Sequence, residues 1–172
     1  MSHPFSAILF ATNLKPCCRH AFEVAAAMAI RHQAALVLVH VLEQVPNYVQ
    51  SNLKDMLGKT AYQELTRKYE NQARNFLIGK KSSNQFIHDA LMEFCTVVGM
   101  DDMACEGPAR HVVVTDGHPV DKIIETARTH NCDLIVMGAR EGFLADNAIG
   151  STIKAVMRSS RVPVMMVPPL AS

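Results

Sequence analysis

Short, continuous apolar runs constrain the fold of this chain more than any other feature of its sequence. The first run covers residues 7–11 (AILFA), and the second covers residues 36–41 (LVLVHV), with polar stretches on either side. Runs of this length without polar alternation predict strands that are buried on both faces, as in a parallel sheet. Between them, apolar residues recur at the spacing of a helix face: Phe22, Ala25, Ala26 and Ala29. The pattern predicts a strand–helix–strand unit.

The last third of the chain repeats this arrangement. Residues 111–115 (HVVVT) and 134–137 (LIVM) are typical of buried strands. The intervening helix begins near Pro119, where a missing N–H is tolerated. Its apolar face consists of Val120, Ile123, Ile124 and Ala127.

A further helix and strand close the chain. Ile153, Val156 and Met157 mark a helix face, and residues 162–167 (VPVMMV) predict the last strand. Pro163 cannot donate to a ladder, which favours a position at the edge of the sheet. Alternating strands and helices predict an α/β fold with a doubly wound parallel sheet and helices on both faces. Ligands of such sheets bind at the carboxyl ends of the strands.

The middle of the chain is less regular. Apolar spacing indicates one helix over residues 62–76 and a second over residues 87–98, and residues 99–110 predict a loop. Alternatively, residues 96–98 begin a strand. We expect a single domain over residues 1–172, with an irregular helical and loop insertion around residues 80–110.

The composition of the chain limits the classes of partner that it can be expected to bind. The chain has 172 residues, with 17 Lys and Arg against 16 Asp and Glu, and the formal charge of +1 favours neither nucleic acid nor an anionic membrane. No apolar stretch approaches the length of a membrane span, so we expect a cytoplasmic protein. Five cysteines without CxxC spacing predict reduced thiols and no metal site.

The loop that joins the fourth predicted strand to the last helix is the strongest candidate for a binding site. It begins at Gly138 and ends at Gly150, Ser151 and Thr152. Glycine lets a ligand approach the backbone, and free N–H groups at a helix start favour an anion such as phosphate. The alternative is an ordinary loop before a capped helix, because serine and glycine are common at such positions.

The end of the first strand is the second candidate. A doubly wound topology brings Thr12 and Asn13 to the same crevice, and the amide of Asn13 suits a base edge or a ribose hydroxyl. The alternative for Asn13 is a turn residue. The sequence contains no P-loop, no GxGxxG after a strand and no GxSxG elbow, so no catalytic machinery is predicted.

Several blocks resemble the bacterial universal stress protein family, in the family's order. They are residues 8–13, 38–41, 117–119, 133–138, 150–152 and 162–164. The resemblance implies a five-stranded, Rossmann-like sheet of the adenine nucleotide alpha hydrolase type, and often a homodimer through the last strand. In one subclass it also implies bound ATP or AMP, with Mg²⁺ accompanying ATP.

Carried over to this chain, the resemblance implies a set of nucleotide contacts. They are Ala11, Thr12, Asn13, Val41, Met137, Gly138, Arg140, Gly142, Gly150, Ser151 and Thr152. Two positions depart from the subclass pattern: Glu141 stands at a glycine position, and Asn13 stands where aspartate is usual. Eight residues, instead of nine, separate Glu141 from Gly150. A carboxylate near the phosphates opposes their binding.

These observations rank three functions. The first is a nucleotide-binding stress-response regulator or partner-binding module. The second is a dimeric interaction protein that binds no nucleotide. A slow ATPase ranks third, because no general base or fixed metal site can be named.

Overall fold

The fold is taken from a computed structural model, which describes residues 5–15, 18–42, 55–73, 80–97, 110–139 and 149–170. The strands are β1 (Ala7–Thr12), β2 (Ala35–Leu42), β3 (Arg110–Asp116), β4 (Leu134–Gly138) and β5 (Val164–Val167). The helices are α1 (Cys18–His32), α2 (Lys59–Ala73), α3 (Lys80–Val97), α4 (Pro119–Thr129) and α5 (Ser151–Ser159).

All five strands form one parallel sheet in the order β3-β2-β1-β4-β5. The predicted α/β class and parallel sheet are confirmed, and β5 lies at an edge, as Pro163 indicated. The chain first steps from β1 to β2 and β3, and then crosses to the other side of β1 for β4 and β5. The strand order therefore reverses between β1 and β4, which is where ligands of such sheets bind.

Helices cover both faces of the sheet, so the central strands are buried on both faces. On one face, Phe10 of β1 packs against Phe22 of α1, and Phe22 packs against Phe94 of α3, with ring centroids 5.5 and 4.9 Å apart. On the other face, Leu9 and Ile135 lie in the same cluster as side chains of α4 and α5. This double burial is the physical reason for the unbroken apolar runs.

Element boundaries differ from the predicted ones in a few places. β5 begins at Val164, two residues later than predicted. The hydroxyl of Ser160 donates to the carbonyl of Val162 and accepts from its N–H, which holds residues 160–162 in a bend. Of the expected insertion around residues 80–110, residues 80–97 form α3, and residues 98–109 lie outside the described ranges.

The alternative strand start at residues 96–98 is wrong for Thr96 and Val97, because both belong to α3. The hydroxyl of Thr96 donates to the carbonyl of Met92 four residues earlier, as serine and threonine often do inside helices. Among the described residues, no helix has both the length and the apolar character that crossing a bilayer requires.

Candidate functional site

A crevice opens where the two central strands separate. The ladder between β1 and β4 ends at the pair Ala11 and Met137. β1 continues beside β2 as far as Thr12, while β4 continues beside β5 as far as Gly138. The N–H of Ala139 then donates to the carbonyl of Val167, which keeps the end of β4 on the β5 side. The strands β1 and β4 therefore diverge between Thr12 and Gly138, at the carboxyl edge of the sheet.

The turn after β1 is held by its own side chains. Thr12 Oγ1 accepts from the N–H of Leu14 at 3.0 Å, and Asn13 Oδ1 accepts from the N–H of Lys15 at 3.1 Å. Leu14 is fully buried and has a φ of 63°, an unusual value for a residue with a branched side chain. Asn13 thus has the role of a turn residue, and its exposed side chain stands beside the crevice.

His40 of β2 fixes the same turn from the neighbouring strand. It is 1% exposed, and its Nδ1 lies 2.9 Å from the carbonyl oxygen of Thr12. Because a carbonyl only accepts, Nδ1 carries the proton and donates. Nε2 is also buried and has no hydrogen-bond partner among the residues described. Burial lowers the pKa of His40, and the bond to Thr12 opposes that shift in part.

His40 was not among the predicted site residues. Its sequence signal was a polar residue inside an otherwise apolar strand, where every neighbour is expected to be buried. A buried ring nitrogen needs a partner, and here the partner is a carbonyl at the crevice.

Three predicted contacts contribute buried side chains at this edge. Ala11, Val41 and Met137 belong to the apolar cluster between the sheet and the α4 and α5 layer. Their side chains are committed to the core. A ligand in the crevice can therefore meet these residues through main-chain groups.

α5 joins the parallel strands β4 and β5, so it begins at the carboxyl edge of the sheet. Gly150 precedes the helix without any side-chain cap, and the first turn contains no acidic residue. The first intrahelical bond runs from the N–H of Lys154 to the carbonyl of Gly150 at 3.0 Å. The N–H groups of Ser151, Thr152 and Ile153 therefore precede the first helical bond.

Gly150 is not required by packing within the chain. A Cβ built on Gly150 meets no atom within 4 Å, and its φ of −53° is open to any residue. Of the predicted phosphate contacts, Ser151 is exposed and Thr152 is half-buried. Arg140 and Gly142, like Glu141, lie outside the described residues.

Potential metal ligands are scattered over the described part of the chain. The described residues contain no group of three or more His, Cys, Asp or Glu that could hold a metal ion. Cys18, Cys95 and Cys132 are buried, and Cys17 and Cys105 lie outside the described ranges. Burial, together with the charge of Asp133, raises the pKa of Cys132 to about 11, so this thiol stays protonated near neutral pH.

A groove of about 610 Å³ lies elsewhere, between α4 and the end of α5. Ile135 near the amino end of β4 and Val162 before β5 are among its lining residues. The groove runs along α4 from Val120 to Arg128, and none of the residues that line it belongs to the predicted contact set.

The fold defines a doubly wound α/β domain with a crevice at its switch point. The model of the universal stress protein family matches residues 4–168, and the chain belongs to this family. It is 27% identical over 165 residues to a Thermus aquaticus protein named "Universal stress protein in QAH/OAS sulfhydrylase 3'region", covering 95% of this chain and 98% of that protein.

Solved structures share the fold at low identity. A universal stress protein in complex with cAMP aligns with a TM-score of 0.57 at 16% identity, over 96% of this chain and 98% of that chain. The universal stress protein from Archaeoglobus fulgidus in complex with dAMP aligns with a TM-score of 0.52 at 15% identity, over 94% and 96% of the two chains. These likenesses confirm the predicted fold.

Proposed function

We propose that this chain binds an adenine nucleotide, AMP or ATP, in the crevice between β1 and β4, and acts as a nucleotide-dependent regulator or partner-binding module in a stress response. The observation that carries the proposal is the separation of the two central strands after Ala11 and Met137. It opens a space at the one edge where parallel sheets of this topology bind ligands.

The nucleoside half of the ligand belongs at the ends of β1 and β2. Because the side chains of Ala11 and Val41 are buried, their part of the proposed contact is through main-chain groups, and the amide of Asn13 stands exposed at the edge. An amide both donates and accepts, which suits a base edge or a ribose hydroxyl.

The phosphates belong at the start of α5. N–H groups of its first turn precede the first helical bond, no acidic residue lies in that turn, and the hydroxyls of Ser151 and Thr152 add donors. The open space around the Cα of Gly150 leaves room for close approach. Gly138, Arg140 and Gly142 complete the proposed contact set, and Mg²⁺ accompanies ATP as part of the ligand.

The relatives support the chemical class of the ligand. Two solved structures of the same fold hold cAMP and dAMP, which are both adenine nucleotides with a single phosphate. A single phosphate also places less negative charge near Glu141 than ATP does, so we propose AMP as the tighter ligand.

Calorimetry with the wild-type chain tests the proposal. AMP, ATP, adenosine and GMP are titrated separately at fixed ionic strength. We expect AMP to bind more tightly than adenosine, because only AMP reaches the α5 amides, and more tightly than GMP, because the base is read at β1 and β2. No binding of any of the four would refute the nucleotide function. Mass spectrometry of small molecules that co-purify with the chain gives an independent reading.

A homodimer through β5 is the second part of the proposal. β5 is an edge strand, and Met157 of α5 and Leu170 beyond β5 are 51% and 67% exposed. Unpaired edge backbone next to exposed apolar side chains favours pairing with a second copy. If no nucleotide binds, this dimer supports the alternative function of an interaction protein.

A further inference from the structure

The structure points to His40 as the positioning residue for the nucleoside half of the crevice, acting through the carbonyl of Thr12 without touching the ligand. The inference rests on the proposed function for its ligand and on the described contacts for its geometry. His40 is absent from the contact set that the sequence predicted.

The sheet leaves the carbonyl of Thr12 at the margin of regular pairing. On the β4 side, the ladder has already ended at Ala11. On the β2 side, Thr12 is the last residue of β1 in register, and its register partner is His40. The imidazole therefore adds one bond at the point where β1 leaves the sheet, with Nδ1 2.9 Å from the carbonyl oxygen.

This bond reinforces the attachment of the turn to β2, where the ladder places the carbonyl of Thr12 opposite the N–H of Val41. The N–H groups of Leu14 and Lys15 bond to the side chains of Thr12 and Asn13, two residues earlier in each case. Such local bonds shape a turn and do not attach it to the sheet. The ladder with β2 and the ring of His40 both hold the carbonyl of Thr12, and Asn13 is the next residue after this carbonyl.

The free-energy cost of burying Nε2 of His40 without a partner in the described part of the chain argues against a role in packing alone. Nε2 is buried and lacks a partner among the described residues, which is unfavourable for a polar atom. An apolar side chain of similar size would fill the space without that cost. The ring is retained in the core with one compensating bond, and that bond holds the edge of the crevice.

Two substitutions separate positioning from packing. His40→Leu fills the core and removes the donor. His40→Asn places an amide nitrogen where Nδ1 stands, so it keeps a donor for Thr12 while filling the core less well. AMP affinity is measured by calorimetry, amide hydrogen exchange is followed at Leu14 and Lys15, and stability is measured by urea unfolding.

We expect His40→Leu to weaken AMP binding about five- to tenfold, the effect of one lost hydrogen bond, and to speed exchange at both amides. His40→Asn should stay within about twofold of wild type in affinity, even where its unfolding midpoint is lower. Affinity then follows the donor and not the stability. If His40→Leu fails to fold, His40→Met, with its adaptable side chain, takes its place.

Equal affinity losses in both variants, or wild-type affinity in His40→Leu, would overturn the inference. A wild-type chain that binds no AMP refutes the proposed function and with it the effect on the ligand. Unchanged exchange at Leu14 and Lys15 in His40→Leu refutes the anchoring of the turn by itself, whatever the ligand does. The two failures are therefore distinguishable.

Discussion

The thiol of Cys18, the first residue of α1, lies 3.0 Å from Oδ1 of Asn13. The same oxygen accepts from the N–H of Lys15, so a single amide oxygen joins the end of β1 to the start of α1. Asn13 stands where the family's nucleotide-binding subclass usually has aspartate. A carboxylate oxygen can accept the same two bonds.

Asn13 should therefore contribute to stability through its acceptor. We expect Asn13→Ala to lower the free energy of unfolding by about 1 kcal/mol, because two donors lose their partner beside a helix start. Asn13→Asp should be as stable as wild type or more stable, since it keeps the acceptor and adds a negative charge near the amino end of α1. Urea unfolding at neutral pH measures both. An Asp variant as unstable as the Ala variant would contradict the acceptor role.

Gly150 should matter for binding and little for folding. We expect Gly150→Val to weaken AMP binding by about tenfold or more, because a branched side chain covers the N–H groups at the start of α5. The unfolding midpoint should change little, since a Cβ at this position meets no atom within 4 Å. Adenosine binding is the internal control, because adenosine has no phosphate to lose. Equal losses for adenosine and AMP would place the phosphate elsewhere.

Much of this architecture followed from local sequence signals. Buried strands such as residues 36–41 and helix faces such as Ile123 and Ala127 are set by periodicity, which nearby residues determine. The exact ends of elements depend on single bonds, as with Ser160 and Val162 before β5. Periodicity does not encode such bonds.

The site was predicted less completely than the fold. Glycine and hydroxyl residues at positions 150–152 carry a local signal for a helix start, and α5 does begin there. The contact from His40 to Thr12 joins residues 28 positions apart. It depends on the register of β1 and β2, and register arises from the tertiary fold. The sequence showed only a polar residue in an apolar run.

Glu141 should discriminate between ligands by charge. A carboxylate about 4 Å from a phosphate opposes binding by roughly 1 kcal/mol in water-like surroundings and by about 4 kcal/mol at an effective dielectric near 20. We expect Glu141→Gly to tighten ATP more than AMP, and AMP more than adenosine. Glu141→Gln is the matched control, because it removes the charge and keeps the size. If calorimetry shows the same change in affinity for ATP, AMP and adenosine, Glu141 has no electrostatic role in binding.

His40 should make stability depend on pH. Burial lowers its folded-state pKa below the ordinary value of 6.5, so both folded and unfolded rings are neutral above that pH. As the pH falls through 6.5, the unfolded chain takes up a proton first, and the free energy of unfolding falls by at most about 1.4 kcal/mol per pH unit. The loss levels off below the folded pKa.

The contribution of His40 is isolated by difference, because the chain has eight histidines. Urea unfolding of wild type and His40→Leu is measured between pH 7.5 and 5. We expect the wild type to lose more stability than the variant over this range. Parallel curves for the two proteins would show that the buried ring takes up its proton as readily as an unfolded one.

The outer edge of β5 should mediate the assembly of two copies of the chain. The carbonyls of Pro163 and Val167 accept from Ile135 and Ala139, so the backbone groups of these residues face β4. Because alternate residues of a strand point their backbone groups in opposite directions, those of Val164 and Met166 face outward. Met166→Pro removes one outward N–H and should convert a dimer into a monomer, as seen by light scattering at tens of micromolar. Met166→Ala loses the same side chain and keeps the N–H, so it should remain dimeric. A wild-type chain that is monomeric under these conditions, or a dimer that survives the proline, would exclude pairing through this edge.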